Sequence, residues 1–142
     1  QDQWLGRWPM DRAEAGAGQS ITVLRESDLM WRLEGETHPA LVGLWAATEH
    51  LTVGQITLQP GQQVDAHAHG GDESLYVLDG VLNVRVPENN GQRWFELNPR
   101  DGFYVPGGVS HQYYNVSNEP VRFMFGVAPL YLASSGNAEA TP

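Results

Sequence analysis

The chain has 142 residues, enough for one domain with a core of its own. It contains no cysteine and its 8 basic residues are all arginines, which excludes disulfides, thiolate metal sites, cysteine nucleophiles and lysine Schiff bases. A net charge of −9 argues against nucleic acid or an anionic membrane as partner, and no apolar run approaches the roughly 20 residues of a membrane helix.

Residues 1–20 read as an N-terminal arm. Trp4, Leu5, Trp8 and Met10 are apolar enough to cover a sheet face, of this chain or of a partner, and the small residues after them read as a linker. The chain begins at Gln1 rather than methionine, which reads as a processed or trimmed product. A cytoplasmic location is expected, with an exported and processed protein as the alternative. Residues 21–133 read as the folded domain. Ile21–Arg25 is expected to form a first strand, and Ser27 to cap a helical turn over Asp28–Leu33.

From Leu41 onward the signals are those of short strands: Leu41–Ala46, Leu51–Leu58, Val64–His69, Glu73–Leu78, Val81–Val86, Arg93–Leu97, Phe103–Val105, His111–Val116 and Val121–Val127. Turn chemistry separates them, as at Pro60-Gly61, Gly70-Gly71, Asp79-Gly80, Asn90-Gly91 and Pro106-Gly107-Gly108. Many short strands at such spacing predict an all-β sandwich or barrel of antiparallel strands. The tail from Ser134 to Pro142 is small and polar and reads as flexible.

Alternation assigns the faces. Leu82, Val84 and Val86 share one face of their strand, as do Val121, Phe123, Phe125 and Val127 of theirs. Glu73–Leu78 differs, because Leu75 and Val77 lie on one face and Tyr76 and Leu78 on the other. A strand apolar on both faces needs cover on both, so a homodimer packed through a sheet face is expected.

The most informative stretch runs from Gly61 to Gly80. His67 and His69 are two apart, so on a strand they project together, with Ala66 and Ala68 opposite. Gly70-Gly71 permits a tight reversal that brings Glu73 back beside them. Further on, the Pro106-Gly107-Gly108 turn delivers His111 onto a strand with Tyr113 and Asn115. If both strands line one interior, three imidazoles and one carboxylate meet, a donor set that suits a divalent Fe, Mn, Ni, Cu or Zn ion with positions left for water or substrate.

The stretch resembles the first motif of the cupin superfamily: Gly61, His67, His69, Glu73 and Gly80 stand at the motif's spacing. Pro106, Gly108, His111 and Asn115 resemble the second motif, whose opening glycine would fall at Arg100; Gly102 is near but out of register. That glycine serves a turn, so the departure bears on local backbone geometry rather than on the metal. The resemblance covers about Leu51 to Val127. It implies a jelly-roll β-barrel, in a small single-domain member, that binds one divalent metal through His67, His69, Glu73 and His111. It does not fix the reaction.

Other candidates surround this set. Asp65, two before His67, is either an acceptor behind the ligands or a solvated loop residue. Gln55 interrupts an apolar strand and is a candidate for the pocket wall. Tyr104, Tyr113, Phe123 and Phe125 are expected to pack the barrel, with Phe123 and Phe125 also candidates for the pocket and Tyr113 for contact with substrate. His38 and His50 read as surface or loop residues, and Asn115-Val116-Ser117 as a coincidental glycosylation pattern. A small oxygenated substrate is expected. Without lysine or cysteine the motif region offers no dedicated base, so Glu73, Asp65, a tyrosine or bound hydroxide would have to serve. That favours oxidoreductase chemistry of dioxygenase type. Isomerase, epimerase or lyase chemistry, and a purely binding role, are the alternatives.

Overall fold

The computed structural model describes residues 21–129. The expected N-terminal arm and C-terminal tail lie outside them. Nine strands are present among the described residues: β1 (Met30–Glu34), β2 (Ala40–Ala47), β3 (Thr52–Leu58), β4 (Asp72–Asp79), β5 (Leu82–Glu88), β6 (Gly91–Leu97), β7 (Gly102–Val105), β8 (Gln112–Tyr114) and β9 (Val121–Ala128). They form a six-stranded sheet in the order β1-β2-β3-β9-β4-β7 and a three-stranded sheet in the order β6-β5-β8, with antiparallel pairing throughout. The all-β antiparallel jelly-roll expectation therefore holds. Among the described residues no helix is long and apolar enough to cross a membrane.

The core lies between the sheets, where alternation places it. Val42, Leu44, Ile56, Leu58, Leu75, Val77, Phe123 and Phe125 come from the larger sheet, and Leu82, Val84, Leu97 and Tyr113 from the smaller. Burying a side chain of this size contributes roughly 1.5–3 kcal/mol. Gly61 and Gly80, which bound the histidine stretch, both take positive φ (80° and 82°), and a Cβ on Gly80 would collide with the Pro120 carbonyl oxygen. Both positions therefore favour glycine.

Several expectations are corrected by the structure. Ile21–Arg25 is irregular rather than a strand. Ser27 lies inside a single 3₁₀ turn, Glu26–Asp28, whose leading residue is Arg25; the Arg25 amide donates to the Asp28 carboxylate at 2.9 Å. The helical turn expected over Asp28–Leu33 is instead β1, paired residue for residue with β2. Apart from Trp31 its residues carry no strong strand propensity, and pairing decides the outcome: the Trp31 ring packs on Gly43, where a Cβ would lie 2.8 Å from it. Tyr104 does not pack the barrel. Phe103 of the same short strand points inward, so Tyr104 points out and is 61% exposed.

The expected strand Val64–His69 is an extended segment held by separate bridges, Gln63 to Tyr114 and His67 to His111. Between those bridges its side carries one residue more than the facing 111–114 side. That surplus residue is a bulge, and it re-aims Asp65.

Candidate metal centre

His67 and His111 are paired directly across the bridge. Each backbone amide donates to the other's carbonyl at 2.9 Å, which sets the two rings side by side with centroids 4.3 Å apart. The Gly108 amide donates to the His69 carbonyl at 2.8 Å, fixing the end of the segment against the Pro106–Gly108 turn. Glu73 enters on β4 after the reversal at Gly70-Gly71, where Gly71 lies so close to Ala128 that a Cβ would collide with its carbonyl. One ligand atom from each of His67, His69, Glu73 and His111 lies within 4.8 Å of the others. Donors about 2.0–2.2 Å from a common ion stand at most about 4.4 Å apart, so this cluster needs only slight contraction to hold one.

The donors are also prepared chemically. The Nδ1 atoms of His67 and His111 lie 2.9 Å from the carbonyls of Asp65 and Val109. A carbonyl only accepts, so both Nδ1 atoms donate and both Nε2 atoms face inward. His111 Nε2 nonetheless lies 2.9 Å from Glu73 Oε1, and His69 Nε2 lies 3.2 Å from the same oxygen. At His111, whose Nδ1 carries the proton, a lone pair and a carboxylate oxygen meet at that distance only with positive charge to reconcile them: a further proton on the ring, or a cation bound by both. Burial, and then the charges of His111 and His69 beside it, hold the His67 ring down to about 4, so it is neutral and able to ligate at pH 7. Burial alone would raise the Glu73 carboxyl, but hydrogen bonds from His111 and His69 outweigh it and hold Glu73 well below the usual carboxylate range. Glu73 Oε2 is engaged separately, accepting from the Tyr113 hydroxyl at 2.8 Å. The residues fit a divalent cation.

A cavity of about 480 Å³ opens above the cluster. His67, His69, Glu73 and Tyr113 form its floor, and His111 lies behind them. Ala40, Val42, Ile56, Val64 and Phe125 make apolar walls, while Arg32, Leu33, Glu34, Glu36 and Thr37 make the rim. Phe125 lines the cavity. Phe123 is not in the lining; it is fully buried beneath Tyr113, with ring centroids 5.0 Å apart. Gln55 is not in the lining either, because the alternation that turns Ile56 inward turns Gln55 to the far face of β3 against Met124.

Asp65 touches the cavity, but its carboxylate turns away from the ligands. It accepts from the backbone amides of Glu36, Thr37 and His38 and from His38 Nδ1, all at 2.8–2.9 Å. Burial pushes its carboxyl up, and the donors outweigh that and lower it. His38 is therefore a loop residue with a structural partner, and His50 is an exposed neighbour of Glu49. The rim residues 32–37 had no motif to reveal them, because only the β1–β2 pairing brings them to the site.

The fold and cluster define a jelly-roll β-barrel with a four-residue cluster that could hold a metal ion. A profile described as the cupin domain matches residues 54–127, and the chain belongs to that family. Over 79 residues it is 30% identical to a Streptomyces cyaneus protein called polyketide synthase CurC, a match covering 55% of this chain. The chain spans about half of that relative's length, 49%. The polyketide cyclase RemF from Streptomyces resistomycificus superposes with a TM-score of 0.63 at 16% identity, covering 79% of this chain and 84% of that one. A Bacillus subtilis oxalate decarboxylase gives 0.62 at 19% identity, covering 81% of this chain and 34% of that one. Likenesses at such identities show the fold alone.

Proposed function

We propose that this protein is a metal-dependent enzyme whose substrate has an oxygenated head and an apolar, polyketide-like body. The observation that carries this reading is the division of the cavity. Its polar, ligand-bearing floor suits an oxygenated group, and its walls of Val42, Ile56, Val64 and Phe125 suit carbon. Such walls offer nothing to a small dianion such as oxalate, whereas the polyketide-associated relatives support an extended substrate.

Three imidazoles and one carboxylate would hold the ion; a bound Fe, Mn, Ni, Cu or Zn ion would supply Lewis-acid charge at the floor, and the redox-active ones electron transfer as well. The chain's own residues do the rest. The walls exclude water from the reacting carbonyl. Tyr113 occupies Glu73 Oε2, which would leave Oε1 as the carboxylate oxygen available to an ion. On the cavity floor Tyr113 carries a hydroxyl proton and the Glu73 carboxylate is able to accept one. We favour a non-redox carbonyl reaction of the cyclisation or lyase type. The donor set favours a second reading, the oxygen-dependent reaction of dioxygenase type.

Incubation of the metal-loaded protein with a poly-β-ketone under argon and under air separates these readings. Turnover under argon supports the non-redox reaction. Turnover that strictly requires air transfers the proposal to the oxygenase. Stabilisation by the ketone with no turnover in either atmosphere would make this a binding module and refute both.

A further inference from the structure

We infer that Asp65 is a positioning residue that couples the rim of the cavity to the metal centre. It sits in the bulge between the Gln63 and His67 bridges and binds in two directions at once. Its carboxylate gathers Glu36, Thr37 and His38 through three consecutive amides and the His38 ring. Its own carbonyl, 2.9 Å from His67 Nδ1, fixes the rotation and tautomer of a metal ligand. A regular strand would have pointed the Asp65 side chain with His67. The surplus residue instead lets one residue hold the rim outward and the ligand inward.

The consequence is mechanical. Gly35, Glu36 and Thr37 line the cavity mouth, and the amides of Glu36, Thr37 and His38 find their acceptor in the Asp65 carboxylate. Gly35 is part of the same fit, with φ at 107° and a would-be Cβ 3.1 Å from Asp65 Oδ2. Loss of the carboxylate frees the rim and, through the same peptide, lets the His67 ring turn. Order at the mouth and retention of the ion are thus two readouts of one anchor. The inference rests on the metal reading of the four-residue cluster but on no particular reaction.

The test uses Co²⁺ as probe. Asp65→Asn keeps the side-chain size but replaces one acceptor oxygen with an NH₂ group that faces donors. Expected in this variant are lost hydrogen-exchange protection at the amides of Glu36, Thr37 and His38, displaced Co²⁺ absorption bands, and release of Co²⁺ to a chelator faster by about 10-fold or more. Unchanged exchange in β3 and β9 confirms the fold. Loosened rim amides with wild-type Co²⁺ bands and release would overturn the coupling, as would unaltered rim amides. Should Asp65→Asn fail to fold, His38→Ala decides: it removes one of the four donors outside the bulge, and a smaller change in the same direction is expected, with no change in either readout counting against the inference. Failure of the wild-type protein to bind Co²⁺ would overturn the metal reading itself, a result distinct from either outcome for Asp65.

Discussion

Arg100 is the one place where the chain departs from the motif spacing, and replacing it with glycine is expected to stabilise the protein. Asn98 to Asp101 form a turn closed by the Asp101 amide donating to the Asn98 carbonyl at 2.9 Å, with Pro99 second and Arg100 third. Arg100 has φ of 76°, the left-handed conformation that the third position of a type II turn requires and that glycine adopts freely. For an L residue this costs about 1–2 kcal/mol. Glycine regains that but loses roughly 0.4–1 kcal/mol to the greater freedom of its unfolded chain. The Arg100 side chain is exposed, and its amide bond to the Val77 carbonyl (2.8 Å) survives the change. The net gain is about 0.5–1 kcal/mol, or roughly 2–5 °C in Tm for a domain of this size. Thermal unfolding in excess chelator measures it, with Arg100→Ala as control because alanine keeps the strain. An Arg100→Gly protein melting no higher than Arg100→Ala would refute the reasoning.

Other expected outcomes bear on the site and the assembly. Tyr113→Phe leaves the four metal donors in place but strips the donor from a buried carboxylate oxygen, and denaturant unfolding of the metal-free protein should show a loss of about 1.5–3 kcal/mol; equal stability would mean that this hydrogen bond is not made. The metal-free protein should weaken as pH falls. His67 is held below its ordinary value, so its contribution is complete above about 6.5 and is lost between there and about 4. Glu73, also depressed, adds to the loss below its ordinary value of 4.5. Urea midpoints that stay level from about pH 6.5 to 4 would contradict the His67 assignment, and midpoints level below 4.5 that of Glu73. We also propose that the protein is a homodimer packed through the outer face of β4 and β7, where Tyr76 is 45% and Tyr104 61% exposed. Sedimentation should give twice the chain mass of 15.7 kDa, and a strict monomer would sink the proposal.

The barrel is legible in the sequence because strand alternation is a local signal. The faces assigned to Leu82 and Val84, and to Val121 through Val127, are the faces that are buried. The four-residue cluster is legible because spacing brings His67, His69 and Glu73 together, and the second motif adds His111. What local pattern does not carry is register. Nothing within Met30–Glu34 says that it will pair with β2, so the rim of the cavity is invisible at that level. The surplus residue before His67 depends on where 63–67 meets 111–114, which is why the sequence admits two readings of Asp65. Gln55 and Tyr104 escape sequence reasoning for a related cause: each interrupts or extends an apolar run, and only the inward turn of Ile56 and Phe103 settles which way its neighbour faces.

The central claim is that His67, His69, Glu73 and His111 together hold one metal ion. Elemental analysis of the protein purified without added metal tests it most directly, beside His67→Ala and His111→Ala prepared identically. Close to one transition-metal ion per chain is expected in the wild type, with loss of that metal in both folded variants. Metal content unchanged by either substitution would contradict the claim.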